Sequence, residues 1–206
     1  MEAKARIIQT ALKLFRDYGI RNVTMDRIAS EAGVSKRTIY ELYSDKTELI
    51  RNTLSVMAQE NQEMVCQIKS KAHDIFDTLY LLADFHIRSF RSYHPSFFED
   101  LKKFFPHLWD AISVESDETK LNEIQNLLNN GIKAGLIRAD LHLRLASRVI
   151  LELFKLTFFL ELEHDRNKGR DNIFENVIIN YFRGIATELG TDLIDKYQKE
   201  QFSVNV

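Results

Sequence analysis

One cysteine, two prolines and seven glycines are all that 206 residues contain of those types, and each scarcity excludes something. A lone Cys66 cannot close an intrachain disulfide. With no second thiol to resolve an oxidised sulfur, it reads as helix filler rather than a redox sensor, and a reducing cytoplasm is the expected setting. So few chain breakers favour long helices. No run of 18 apolar residues could span a membrane, and no basic-then-apolar start suggests a signal peptide. The short catalytic signatures are missing too: there is no His-Glu-x-x-His, no Gly-x-Ser-x-Gly and no phosphate-binding loop. Glu161 and His164 form one Glu-x-x-His step, but a di-iron bundle needs a second step and two further glutamates. The expectation is a protein that is not an enzyme and needs neither cofactor nor metal.

Apolar residues make up 45% of the chain, enough to core one or two domains. The net charge of −2 argues weakly against a nucleic-acid partner, but its distribution is uneven. Residues 1–51 carry ten Lys/Arg and seven Asp/Glu, a balance of +3, which leaves −5 for the remainder. A mildly basic head on an acidic body suits a DNA reader joined to a domain with another partner.

The head reads as three helices. Residues 2–18 place Ile8, Ala11, Leu12 and Phe15 at i, i+3, i+4 and i+7, and Gly19 ends the pattern. After a connector, Thr24 caps a second helix with Asp26 in its first turn, and Gly33 breaks it where a positive φ is useful. Ser35 caps a third helix, with Ile39, Leu42 and Tyr43 on one side and Lys36, Arg37, Tyr40 and Glu41 largely on the other. Helix, glycine-containing turn, helix is the helix-turn-helix arrangement, whose second helix enters the DNA major groove. On spacing alone, a plain helical hairpin with a solvated basic face fits as well.

The residues decide between these. Thr24-Met25-Asp26-Arg27-Ile28-Ala29, Glu31-Ala32-Gly33-Val34-Ser35, Thr38-Ile39-Tyr40 and Lys46 closely resemble the DNA-binding signature of the tetracycline-repressor (TetR) family of bacterial regulators. The resemblance covers roughly the first 50 residues; beyond them only length and helical layout are similar. It implies that Thr24, Ser35, Thr38, Tyr40 and Lys46 hold phosphates, while Lys36 and Arg37 reach base edges, Arg37 a guanine. Glu41 departs from the aromatic or His residue often found there, and Tyr43 stands where Phe is common. Glu41 either accepts from a cytosine amino group or pairs with Arg37 one turn back, and the spacing favours the pair.

The body continues helical. One long helix runs from Asp45 to about Lys69. A second covers 72–93 and a short one 96–105, ended by Pro106. Residues 107–135 form a helix that the polar stretch Glu115 to Lys120 interrupts. Asp140 caps a helix over 141–163, apolar on most of its circumference and therefore expected to be buried nearly all round. A last long helix covers 171–189, Gly190 ends or bends it, and a polar helical tail follows. Thirteen of the fourteen Phe and the single Trp lie in the body. Phe85, His86, Phe105, Trp109, Phe154 and Phe158, with Phe104 and His107, have the composition of an apolar pocket with a few polar points, although core filling is the better explanation of any one of them taken singly.

The expected fold is therefore all-α. A three-helix helix-turn-helix DNA-binding domain over 1–46 precedes a larger helical effector-binding and dimerisation domain over 47–206. The helices at 141–163 and 171–189 offer more apolar face than one subunit buries, and pairing them across a two-fold axis gives the homodimer that the resemblance also implies. The functional expectation is a cytoplasmic, ligand-responsive transcription regulator. It would be a repressor released from a palindromic double-stranded DNA operator by a small apolar or aromatic effector, with no membrane association. The alternative is a helical ligand-binding or protein-interaction module that does not bind DNA specifically.

Overall fold

A computed structural model describes residues 3–114, 117–163 and 174–203, with side chains omitted at 87, 112–114, 117, 158–163, 174–175 and 200–203. The described residues are helical apart from turns and one isolated bridge. Three helices form the head: α1 (Ala3–Tyr18), α2 (Met25–Glu31) and α3 (Lys36–Leu42). The rest comprises α4 (Lys46–Lys71), α5 (Ile75–Arg91), α6 (Ser96–Phe104), α7 (Pro106–Val114), α8 (Asp117–Lys133), α9 (Leu143–Glu163), α10 (Asn180–Ile185) and α11 (Glu188–Ser203). A π-helical turn, Phe174–Ile179, leads into α10. Among the described residues, no helix is long and apolar enough to cross a membrane.

The chain divides into two compact units, residues 1–67 with 86–114 and residues 68–85 with 115–206. The first unit is larger than the 1–46 segment, because α6 and α7 join the head. Its core runs from Ile7, Ala11, Leu14 and Phe15 of α1 through Ile28 and Ala29 of α2 and Ile39 of α3. It continues through Leu49, Ile50 and Leu54 of α4 to Phe97 and Leu101 of α6. Ile7 and Leu14, rather than Ile8, carry the fully buried stripe of α1. Pro106 does more than end α6: it is the first residue of α7, where its missing N–H costs nothing.

In the second unit, Ile75, Phe76 and Leu79 of α5 pack with Leu128 of α8, Ile150 of α9, Ile178 and Phe182. Three expectations change here. The cap of α9 is His142, whose Nδ1 accepts from the Leu145 N–H at 3.3 Å, not Asp140. Leu145 (61%) and Leu156 (45%) are exposed within this chain, so α9 is not buried all round. The last long helix over 171–189 also breaks earlier than Gly190. Residues 171–173 lie outside the described residues, and the helical run stops at Ile185. Ala186 is extended (ψ 157°) and pairs as an antiparallel bridge with Ile137. The Arg138 N–H donates to Ile185 O, and the Thr187 N–H to Leu136 O.

Thr187 then restarts the chain by accepting from the Gly190 N–H, which opens α11. The polar tail is a packed element: Ile194 is fully buried, and Tyr197 donates its hydroxyl to Asp74. Gly190 is required by space rather than by a helix end. A Cβ built there would lie 2.1 Å from the Leu136 carbonyl oxygen. Gly190→Ala should therefore push the bridge apart and cost about 1–3 kcal/mol, read as a lower urea midpoint; an unchanged midpoint would show that the bridge yields freely.

Candidate nucleic-acid interface

The helix-turn-helix is assembled by local hydrogen bonds. Thr24, extended at φ −101° and ψ 157°, accepts the Arg27 N–H on its hydroxyl at 3.2 Å. Ser35 does the same for Thr38 at 3.0 Å, and the two hydroxyls of Ser35 and Thr38 lie 2.8 Å apart. Each cap satisfies a donor that the first turn leaves unpaired. Gly33 sits at φ +65° between them with nothing within 4 Å of a Cβ position, so conformation rather than crowding selects glycine.

Burial then sorts the faces of α3. Ile39 and Tyr43 face the core, while Lys36, Arg37, Tyr40 and Glu41 are exposed. Leu42, expected beside Ile39 and Tyr43, is exposed instead, at the last position of a seven-residue helix. The expected pairing of Glu41 is present, with Arg37 Nε 2.7 Å from Glu41 Oε1. A second ion pair, absent from the sequence reading, joins Lys36 Nζ to Asp26 Oδ2 at 2.8 Å. It bridges α2 and α3, and the Asp26 carboxylate raises the affinity of the Lys36 amine for its proton.

Lys46 is placed differently from the other candidates. Its ammonium is half-buried and donates to the carbonyls of Ile20, at 2.6 Å, and Arg21, at 3.4 Å. Burial lowers its pKa, partly offset by the charge of Asp100. On the other side of the same connector, the Arg21 N–H donates to the buried Asp100 at 2.9 Å. The connector between α1 and α2 is thus held by a cation from α4 and an anion from α6. Sequence reasoning missed Asp100, which sits 79 residues from its partner. Gly19 shares this junction: it is at φ +78°, and a Cβ would lie 2.3 Å from Ser96 Oγ.

The predicted ligand residues are divided between the two units. Phe105 and Trp109 pack against the first core, and Phe154 against the second. Phe85 is half-buried, while His86, Phe104 and His107 are exposed. The side chain of Phe158 and the Glu161–His164 step lie outside the described residues. A cleft of about 460 Å³ in the second unit is lined by Lys69, Asp74, Thr78, Glu123, Asn126 and Asn130 among others, and by none of the six predicted residues. Among the described residues there is no cluster of three metal-donor side chains.

Residues 7–53 match the family profile described as bacterial regulatory proteins, tetR family. The head of the chain is similar to the DNA-binding domain of that family. YhgD of Bacillus subtilis, an uncharacterised HTH-type transcriptional regulator, is 25% identical over 168 residues, 80% of this chain and 87% of its own. An HTH-type transcriptional regulator of Staphylococcus aureus is 31% identical over 88 residues, 41% of this chain and 45% of its own length.

Among solved structures, a TetR-family regulator from Streptomyces coelicolor superposes with a TM-score of 0.69 at 20% identity, covering 89% of this chain and 95% of that one. FadR of Bacillus subtilis, in complex with stearoyl-CoA, gives 0.64 at 24% identity, covering 88% and 98%. These structures share the fold: a helix-turn-helix head followed by a helical domain.

Tyr43 carries one more consequence. Its hydroxyl is buried in a residue 1% exposed and has no hydrogen-bond partner, and burial raises its pKa. Tyr43→Phe should therefore stabilise the head by about 1 kcal/mol, seen as a higher urea midpoint with unchanged circular dichroism. A lower midpoint would mean that the hydroxyl is satisfied in solution.

Proposed function

We propose that this regulator binds an operator in double-stranded DNA through residues 1–46, with residues 47–206 serving effector binding and dimerisation. The observation that carries the reading is the sorted surface of α3. Lys36, Arg37 and Tyr40 are exposed on a helix whose other side is locked into the core, and two capped N-termini lie beside it. Helix N-termini and hydroxyls suit phosphates, and a cationic fork suits a guanine edge. Thr24, Ser35, Thr38 and Tyr40 are the phosphate-holding positions in this reading, and Lys36 and Arg37 are the base readers. Lys46 acts on DNA chiefly by holding the connector that orients α2, since its ammonium is engaged with two carbonyls.

The regulator is read as a cytoplasmic repressor whose two copies place their α3 helices on the halves of a palindrome. Exposed leucines support the dimer. Leu145 and Leu156, three helical turns apart, lie on one stripe of α9. An effector held by the body would act through α4, a continuous helix that contributes residues to both units. A coupling of about 1–3 kcal/mol, typical of allosteric proteins, makes derepression a shift in affinity. The stearoyl-CoA bound by FadR supports an effector with a large apolar part. Of the predicted pocket residues, Phe85, Phe105, Trp109 and Phe154 remain candidates as half-buried aromatics.

Two measurements test this. Arg37→Ala should weaken binding to a duplex selected in vitro by the full chain by about 1–3 kcal/mol and relax specificity at one base pair; equal weakening on scrambled DNA would remove its base-reading role. Leu145→Glu with Leu156→Glu should convert the dimer to a monomer in sedimentation while circular dichroism stays constant. A dimer that survives both changes would place the interface elsewhere.

A further inference from the structure

Both cations that α3 presents for base contact are already held by carboxylates of the head itself. Arg37 is bound by Glu41 through Nε alone, at 2.7 Å. That leaves the two terminal Nη groups of the guanidinium free of intramolecular partners, and these are the atoms that form a fork to guanine O6 and N7. Lys36 is held from the other helix by Asp26.

Neither pair is needed to build the head. The side chains are 87% and 56% exposed in the Arg37–Glu41 pair and 67% and 57% in the Lys36–Asp26 pair, and exposed pairs of this kind contribute little to stability. The junction of α2 and α3 already rests on buried Ile28, Ala29 and Ile39 and on two caps.

We propose that Glu41 and Asp26 are specificity-determining positioning residues of the DNA interface. Glu41 buttresses Arg37 so that its two Nη groups point outward as a fixed fork, and Asp26 restrains Lys36 from indiscriminate contact with phosphates. This rests on the DNA-binding reading above. The physical argument has two parts. A guanidinium pinned at Nε has fewer conformers to lose when it meets guanine, so the matched base gains more than it would from a freely moving arginine. On unmatched DNA, each cation exchanges a carboxylate for a phosphate with little gain, and the carboxylate left behind repels the backbone. The acids therefore subtract from the sequence-independent part of the affinity, which dominates non-specific binding, and add to the sequence-dependent part.

The experiment uses the full chain, a duplex that it selects from a randomised pool, and a scrambled duplex of the same composition. Affinities are measured by fluorescence anisotropy over a range of salt concentrations. The comparison is Glu41→Ala, Glu41→Gln and Asp26→Asn against Glu31→Ala. Glu31 forms the same kind of one-turn pair with Arg27 on α2, at 3.2 Å, and serves as the control for generic charge.

The expected result is that Glu41→Ala lowers the ratio of selected to scrambled affinity by about tenfold, the low end of what one bidentate base contact discriminates. Glu41→Gln, which keeps an oxygen facing Nε, should retain most of the discrimination. Asp26→Asn should tighten scrambled DNA and steepen its salt slope by about one as Lys36 becomes available to a phosphate.

Three results would overturn the proposal. Ratios unchanged in all variants, with affinity rising as it does for Glu31→Ala, would reduce both acids to surface charge. A Glu41→Ala or Glu41→Gln protein that selects a different base at one position, with undiminished discrimination, would make Glu41 a reader of cytosine rather than a buttress. An unaltered protein that binds both duplexes equally would remove the DNA-binding reading itself, and that outcome is visible before any variant is made.

Discussion

The peptide between Ile20 and Arg21 is gripped from two sides, and the placement of the reading helix depends on that grip. Lys46 donates its ammonium to the carbonyls on one side, and Asp100 accepts the amide of Arg21 on the other. Taking a lysine and an aspartate out of water is costly unless their hydrogen-bonding capacity is used. Here both charges act on backbone dipoles within one connector. Burial lowers the pKa of the Lys46 ammonium, and the charge of Asp100 offsets part of that. The connector leads directly to Thr24, the cap of α2. A shift in α4 or α6 would therefore reach α2 through charged hydrogen bonds as well as through the apolar core that the three helices share.

From α2 the constraint passes to α3 through elements that allow few alternatives. Gly33 supplies the positive φ of the turn, Ser35 restarts the helix, and Ile28 and Ile39 share one core. The result is a surface anchored by its buried face, with Lys36, Arg37 and Tyr40 solvated on the other. Stability comes from the buried face and, on the proposed reading, selectivity from the exposed one. Tyr43 is an exception in kind: a polar atom sits on the stabilising face, where a phenylalanine ring would serve.

The head was legible in the sequence because its determinants are local. Caps reach three residues ahead, the turn depends on one glycine, and the Arg37–Glu41 pair is one helical turn long. Lys36–Asp26 spans ten residues across a turn and was not read, although it uses ordinary side chains. The body yielded its helices but not their ends, since those are settled by distant partners. The break at Ala186 exists because Ile137, 49 residues earlier, offers a backbone edge, and Gly190 is required by a carbonyl at Leu136. The role of Lys46 was obscured for the same reason. The family pattern marks the position, whereas the direction of its ammonium is set by carbonyls 26 and 25 residues away.

Aromatic composition alone does not separate a pocket lining from a core. The aromatics of the body serve two separate cores, with Phe97 and Trp109 in the first and Phe76, Phe154 and Phe182 in the second. An even distribution of large rings along helices looks, in sequence, like one lining. Charge behaves differently, because an exposed cation keeps its chemistry wherever the helix is placed, and the question is only which anion holds it. For Lys36 and Arg37 that anion is already intramolecular. On the proposed reading, Lys36 exchanges one acceptor for another and Arg37 keeps Glu41 while its Nη groups take a base, so the free-energy difference between sites, more than the total attraction, is what such a surface would report.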